Sequence, residues 1–234
     1  MKTVRLIVNP TASRVASKVR TAVRRALAGH QVTEVETTGR GHAIELAAEA
    51  AGDGVDVIVV LGGDGTVNEA ANGLLGSGTT PTVLAALPGG STNVFTRTAR
   101  LPRRVAAAAE VVASAIERGS VRRLPVGRVN GRAFLFHVGI DYDAAVVELV
   151  ERHNSLKRSI GQAIFVYAAF ATWFRHYDHS RPEFRIEGDD GTGVDGSFAI
   201  CMNTNPYTFF GPRPLNVVPG CTGSGASARS PFAS

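Results

Sequence analysis

The run Val55-Asp56-Val57-Ile58-Val59-Val60-Leu61 passes without a break into Gly62-Gly63-Asp64-Gly65-Thr66, and no other segment restricts the fold so tightly. Near-continuous β-branched residues fit a strand buried on both faces, as parallel sheets require. A glycine-rich turn directly after it opens a helix expected over residues 67–75. The surrounding chain alternates in the same way. Residues 4–8 form an apolar run closed by Asn9-Pro10. Residues 13–28 repeat Val15, Val19, Ala22, Val23, Ala26 and Leu27 at three- and four-residue intervals. Residues 31–36 read as a weak strand, 43–51 as an alanine-rich helix, and 82–87 as another strand. This alternation implies an α/β fold with an open, mainly parallel sheet.

After a helix expected over 103–117 the character changes. Residues 121–130 and 132–138 read as strands around the hairpin pair Asn130-Gly131. Helices are expected near 143–151 and 159–175, and strands near 183–187 and 197–202. The sequence therefore divides into an α/β domain over 1–120, a β-rich part over 121–219, and a Gly/Ser/Ala tail over 220–234 that reads as disordered.

Length and charge narrow the function classes. The 234 residues suffice for one large domain or two modest ones. A net charge of +5 suits nucleotides, anionic lipid surfaces or nucleic acid. Nucleic acid is set aside: Arg24-Arg25, Arg103-Arg104 and Arg122-Arg123 are isolated pairs, with no interleaved aromatics and no helix-turn-helix or zinc pattern. Cys201 and Cys221 are too few for a disulfide framework, which points to a reducing compartment. The histidines His30, His42, His137, His153, His176 and His179 lack metal-ligand spacing. No signal-peptide pattern opens the chain. The apolar run 163–174, about 18 Å as a helix, falls short of the roughly 30 Å hydrocarbon slab. With Leu156-Lys157-Arg158 before it, this run suits either a core helix or one lying on an anionic membrane. The expected location is cytoplasmic, with peripheral contact at the inner membrane surface.

The chemistry concentrates at the strand ends. Glycines adopt positive φ at little steric cost, and without Cβ atoms their backbone N–H groups can face a phosphate at a helix N-terminus. Thr66 is expected to cap the helix or donate to a phosphate. Asp64 is the odd member, because a carboxylate repels phosphates unless it holds a Mg2+-bound water or orients the reacting group. The competing reading is a tight strand-to-helix turn with an aspartate cap. Asn9-Pro10-Thr11-Ala12-Ser13 and Pro88-Gly89-Gly90-Ser91-Thr92-Asn93 end two more strands. In a parallel sheet all three segments reach one edge, where ligands bind.

This combination resembles the catalytic domain shared by diacylglycerol kinases, sphingosine kinases and the bacterial soluble lipid kinases. The matching residues are Asn9-Pro10 with Ser13, Gly62 to Thr66 continuing through Val67-Asn68-Glu69 and Asn72-Gly73, Pro88 to Asn93 with Arg97 and Arg100, and Gly139-Ile140-Asp141-Tyr142-Asp143-Ala144. The resemblance implies an α/β ATP-binding domain joined to a β-sandwich, here incomplete. It further implies ATP and Mg2+, and transfer of the γ-phosphoryl group to a diacylglycerol-like lipid alcohol at a membrane surface. Carried over position by position, the nucleotide contacts are Asn9, Pro10, Thr11, Ala12, Ser13, Thr37, Gly62, Gly63, Asp64, Gly65, Thr66, Val67, Asn68, Glu69, Gly90, Ser91 and Asn93. Asp64 is also the expected catalytic residue, and no metal ligand is assigned.

Three departures qualify the match. Ser91 stands where the family usually has threonine, which keeps a hydroxyl. Val94 stands where it often has aspartate, which removes a polar contact. Past Pro219 the family continues through an Asp-Asp-Gly pattern to its proposed base aspartate, whereas this sequence enters the Gly/Ser/Ala tail. The expectation is a truncated or frameshifted product. An NAD kinase, which shares a glycine-aspartate loop, and a non-catalytic ATP-binding remnant are the rival readings. Val67-Asn68-Glu69 and Asn9-Pro10 favour the lipid branch over the first.

Overall fold

The computed structural model describes residues 1–78, 80–140, 184–188, 191–196 and 199–216. Its first half is a βα succession: β1 (Thr3–Val8), α1 (Ser17–Ala26), β2 (Gln31–Glu36), α2 (His42–Gly52), β3 (Val57–Gly62), α3 (Asp64–Gly76), β4 (Val83–Pro88), α4 (Val94–Thr98) and α5 (Val105–Glu117). The four strands pair in parallel in the order β2-β1-β3-β4. The expected α/β parallel architecture is thus the observed one.

The β3 run explains the layering. Every β3 residue is buried, and alternate side chains enter two separate cores. Val57, Val59 and Leu61 pack with Val4, Leu6, Val23, Leu27 and the α5 face Val105, Ala108 and Val112. Ile58 and Val60 pack with the α2 and α3 residues Ala43, Leu46, Ala47, Val67 and Ala70. Small residues let α2 and α3 approach closely. A Cβ on Gly73 would lie 2.1 Å from the Ile44 carbonyl oxygen.

Local chemistry fixes the entrance to β3. The Asp56 carboxylate accepts Lys2 Nζ at 2.8 Å, the Thr3 N–H at 2.8 Å and the Thr3 hydroxyl at 2.9 Å. The Lys2 ammonium first, then the Thr3 amide and hydroxyl, hold this carboxyl well below the usual carboxylate range. For a depressed carboxyl, the stability gained on folding is present above the unfolded pKa of about 3.9 and is lost as pH falls toward the folded value. The melting-temperature gap between wild type and Asp56→Asn is therefore expected to be full at neutral pH and to shrink below about pH 4. A gap that stays constant into strong acid contradicts this.

Past α5, residues 120–126 carry no regular structure, so the strand expected from 121 is reduced to its end. β5 (Gly127–Val129) and β6 (Arg132–Phe134) pair antiparallel. They are joined at Asn130 and Gly131, both at positive φ (48° and 78°), as the hairpin pair requires. This hairpin clusters with the α/β sheet in a first unit holding Met1–Phe136 and Asn203–Thr208. The unit therefore extends past the change of character near residue 120.

In the second unit, β7 (His137–Ile140) pairs antiparallel with β10 (Ala199–Met202), and β8 (Phe184–Glu187) with β9 (Gly193–Gly196). A further two-stranded ladder joins β11 (Thr208–Phe210) and β12 (Arg213–Leu215). Small antiparallel sheets thus follow the parallel one. The helices expected at 143–151 and 159–175, the tail at 220–234, and Asp141, Asp143, Cys221, His153, His176 and His179 lie outside the described residues.

Candidate functional site

Strand register brings the loops together. Val8 of β1 pairs with Glu36 of β2 and with Leu61 of β3, and Leu61 pairs with Leu87 of β4. All four strands therefore end at one sheet edge. Strand order reverses between β1 and β3, the position at which parallel sheets leave a crevice. A cavity of about 290 Å³ opens there, lined by Asn9 and Thr11 after β1, Thr37, Thr38, Gly39 and Arg40 after β2, and Gly65, Thr66 and Glu69 on α3. Six of the residues carried over from the family resemblance meet in this cavity: Asn9, Thr11, Thr37, Gly65, Thr66 and Glu69.

The glycines serve a different purpose from the one expected. None of Gly62, Gly63 and Gly65 has positive φ, and the helix begins at Asp64 rather than at Val67. What requires glycine is close approach between two loops. A Cβ on Gly89 would lie 2.8 Å from the Gly62 nitrogen, and one on Gly90 would lie 2.7 Å from the Gly63 Cα. The Gly62-Gly63 and Gly89-Gly90 backbones are thus interlocked, with the Gly89 N–H donating to the Gly62 carbonyl at 2.9 Å. Gly65 is the exception: a Cβ there would meet nothing within 4 Å. Its open space belongs to the cavity.

Asp64 also departs from expectation. Its two carboxylate oxygens accept the N–H groups of Val94 (2.9 Å) and Phe95 (3.0 Å). The aspartate cap weighed from sequence exists, but from the first residue of α3 it caps α4 rather than its own helix. A helix as short as α4 is not stable alone, and charge-assisted bonds to its first turn hold it in place. The adjoining Asn93 sits at φ 54° and is buried. Its amide exchanges hydrogen bonds with the Gly90 N–H (2.8 Å) and carbonyl (2.6 Å). Together these contacts fix the Gly89–Asn93 turn against the start of α3.

Thr66 does not cap α3. Its hydroxyl accepts Asn9 Nδ2 at 3.0 Å, while Asn9 Oδ1 accepts the Thr11 N–H and hydroxyl at 3.0 and 2.8 Å. Asn9 thus aims two threonines at the cavity. The first α-helical bond of α3 runs from the Val67 N–H to the Gly63 carbonyl. The Gly65 and Thr66 N–H groups are left without intrahelical acceptors, an arrangement suited to an anion.

The other designated residues lie outside this cavity's lining. Val67 is core. Asn68 clamps β6: its Oδ1 accepts the Leu135 N–H at 3.1 Å and its Nδ2 donates to the Ala133 carbonyl at 3.2 Å. Asn72, one turn on, bonds both the N–H and the carbonyl of Ala133. Pro10, Ala12, Ser13, Gly62, Gly63, Gly90, Ser91 and Asn93 build the flanking loops rather than the cavity wall. Arg14 donates to the carbonyls of Ser91 and Arg103. Burial first, then the like charges of Arg103 and Arg14, lower the Arg97 pKa. Three guanidiniums therefore crowd this turn, a strongly cationic surround.

Thr38, Gly39 and Arg40 were not among the residues designated from sequence. Their signal was topological: β2 pairs with β1, so its following loop had to reach the same edge. Among the described residues no His, Cys, Asp or Glu group converges as a metal site, and both Asp64 oxygens already hold N–H groups. These residues fit a polyanion rather than a protein-held Mg2+. A larger cavity of about 840 Å³ runs along the free edge of β4 among Leu84, Phe95, Leu101, Ile116, Leu124 and Leu135, and none of the designated residues lines it.

Comparison with known proteins shows the family. The family described as the diacylglycerol kinase catalytic domain matches residues 3–129. A diacylglycerol kinase of Bacillus subtilis (strain 168) is 35% identical over 170 residues, covering 70% of this chain and 54% of that protein. One from Staphylococcus saprophyticus is 33% identical over 138 residues, covering 57% of this chain and 43% of that protein. The chain thus spans about half the length of the curated relatives it matches. A solved structure from Bacillus anthracis str. Sterne, assigned as a diacylglycerol kinase, aligns with TM-score 0.69 at 26% identity, covering 94% of this chain and 72% of that one. A second from the same organism aligns with TM-score 0.54 at 36% identity, covering 60% of this chain and 51% of that one.

Proposed function

The chain belongs to the diacylglycerol kinase catalytic-domain family, and on that premise we propose that it binds ATP at the β1–β2–β3 strand ends and transfers the γ-phosphoryl group to a lipid hydroxyl. The observation that carries this reading is the convergence of Asn9, Thr11, Thr37, Gly65, Thr66 and Glu69 on one cavity. The polyphosphate lies at the N-terminus of α3, where free N–H groups and the helix dipole favour negative charge. Arg40 in the cavity wall adds a cation. Asn9 orients Thr66, and Asp64 is a positioning residue that ties the Gly90–Asn93 turn to the phosphate end. Mg2+ carried on the nucleotide would supply charge neutralisation at the phosphates, with no protein ligand assigned to it among the described residues. The lipid hydroxyl oxygen attacks the γ-phosphorus in line as the bond from the γ-phosphorus to the bridging oxygen breaks. ADP leaves with that oxygen, the hydroxyl proton passes to solvent, and catalysis rests on positioning and electrostatic stabilisation. A diacylglycerol-like alcohol is the acceptor class, met at a membrane surface. No helix among the described residues is long and apolar enough to cross a membrane.

The test offers the purified protein labelled ATP with diacylglycerol vesicles and, in a separate reaction, with NAD. Labelled lipid phosphate is the expected product. Phosphorylated NAD as the sole product overturns the lipid assignment. Thermal stabilisation by ATP with no transfer to either acceptor identifies a nucleotide-binding remnant instead.

Gly65 gives a sharper check. Alanine there meets no protein atom and suits a helix better than glycine by roughly 0.5–1 kcal/mol. Gly65→Ala is therefore expected to melt no lower than wild type while binding ATP about tenfold more weakly, a loss of about 1.4 kcal/mol. Titration calorimetry beside thermal melts reads both. Unchanged ATP affinity places the phosphates elsewhere.

A further inference from the structure

The two edges of the parallel sheet are finished differently. β2 carries Glu34 and Glu36, held by Arg20 and Arg24, and charge of this kind keeps an edge strand from recruiting a neighbour. β4, at the opposite edge, reads Val-Leu-Ala-Ala-Leu-Pro with no charge at all. The Val83 N–H donates to the Asp56 carbonyl at 3.0 Å, and the Gly89 N–H to the Gly62 carbonyl at 2.9 Å. Odd-numbered residues of β4 therefore face β3, and the N–H and C=O groups of Leu84 and Ala86 point away from it. Among the described residues nothing bonds them, although Ala86 is only 3% exposed. Buried backbone polar groups are almost always paired.

The cavity of about 840 Å³ along this edge is lined wholly by residues of the first unit. One wall, with Ala85, Leu101 and Ile116, continues the core shared by α1 and α5. The other, with Leu84, Phe95 and Leu135, continues the core under α2 and α3. Thr98 Oγ1, Thr204 Oγ1 and Asn205 Oδ1, on residues of the same lining, are buried with no hydrogen-bond partner among the described residues. An acyl chain would fill the apolar space and answer none of these polar groups. A second copy would present an equally concave edge, and two grooves do not fill each other. An extended backbone fills the space and answers the edge. We propose that the groove seats a fifth strand on β4, supplied by the part of the family's length that this chain does not match. The aligned stretches are 54% and 43% of the two curated relatives, which leaves ample sequence to supply it. A strand that joins both cores is buried on both faces, so the segment is a near-continuous apolar run. Pairing along all six residues of β4 takes about 20 Å of it.

Residue-resolved amide exchange tests this, with overlapping synthetic peptides spanning the part of the Bacillus subtilis relative outside the aligned residues. In the chain alone, the Leu84 and Ala86 amides are expected to exchange at least about tenfold faster than those of Val83 and Ala85, which β3 holds. One apolar peptide should slow Leu84 and Ala86 at least about tenfold and leave the Val83 and Ala85 rates as they are. Leu124→Lys puts a charge on an exposed side chain of the groove and should weaken that peptide at least about tenfold. Val111→Lys, at an exposed position outside the lining, should bind it as wild type does. Melting curves matching wild type for both variants show that each fold is intact. Four results overturn the proposal: Leu84 and Ala86 amides already slow in the dilute chain, no peptide that slows them, slowing by dioctanoylglycerol in place of a peptide, or slowing that needs only a higher protein concentration. The outcome is independent of ATP binding, which involves another cavity.

Discussion

Gly90→Ala is expected to lower stability by about 3 kcal/mol, and the melting temperature by roughly 10 °C. The added Cβ would lie 2.7 Å from the Gly63 Cα and 3.2 Å from Asn93 Oδ1. The first contact is with backbone, so no side-chain rotation relieves it. The Gly62-Gly63 and Gly89-Gly90 strand ends must separate, and with them the link between the Gly90–Asn93 turn and α3. ATP affinity should fall at least about tenfold, because the amides at the start of α3 lose their register. Gly52→Ala is the control: it lies on a helix and a Cβ there meets nothing within 4 Å. Thermal melts with and without ATP compare the two. If both variants melt alike, the two loops are not interlocked.

Asp64→Ala is expected to reduce phosphoryl transfer at least about 100-fold, the scale seen when one pre-organised electrostatic contact is lost. It should also destabilise the fold by about 2 kcal/mol, the order for leaving partly buried donors unanswered. That second effect distinguishes two roles. A carboxylate acting only through a metal-bound water would lower turnover and leave the melting temperature alone. One that holds the Val94 and Phe95 N–H groups lowers both. Asp64→Asn sharpens the comparison, since it keeps one acceptor oxygen but places an NH2 against a backbone donor. It should melt between wild type and Asp64→Ala. Melting temperatures identical across all three return Asp64 to chemistry at the phosphates.

Much of this arrangement is legible in the sequence because local and tertiary demands agree there. β3 is β-branched from Val57 to Val60, so its burial on two faces, its parallel pairing and the turn that follows it are all readable. The β5–β6 hairpin was readable from Asn130-Gly131 because those residues tolerate positive φ. The reason for the glycines was not. Gly62 and Gly89 look like residues chosen for an unusual φ, yet they are constrained by each other, and a contact between two loops leaves no periodic trace. α4 was missed for a similar reason: its five residues are held by a carboxylate thirty positions earlier in the chain. The 121–126 stretch, rich in Val and Leu, failed to become a strand where Arg122, Arg123 and Pro125 interrupt it. The family motif puts Asn68 among the nucleotide contacts, and its i, i+4 spacing with Asn72 places both on one helix face. That face turned out to be the one clamping Ala133.

Hydrogen exchange with and without ATP tests the central claim most directly, because it shows where the ligand sits without any substitution. Backbone amides in residues 9–13, 37–41 and 64–69 are expected to slow when ATP is added, together with those of the 89–95 turn that Asp64 and Asn93 hold in register. Slowing confined to residues 112–125 along the free edge of β4, or no slowing anywhere at saturating ATP, would contradict the account.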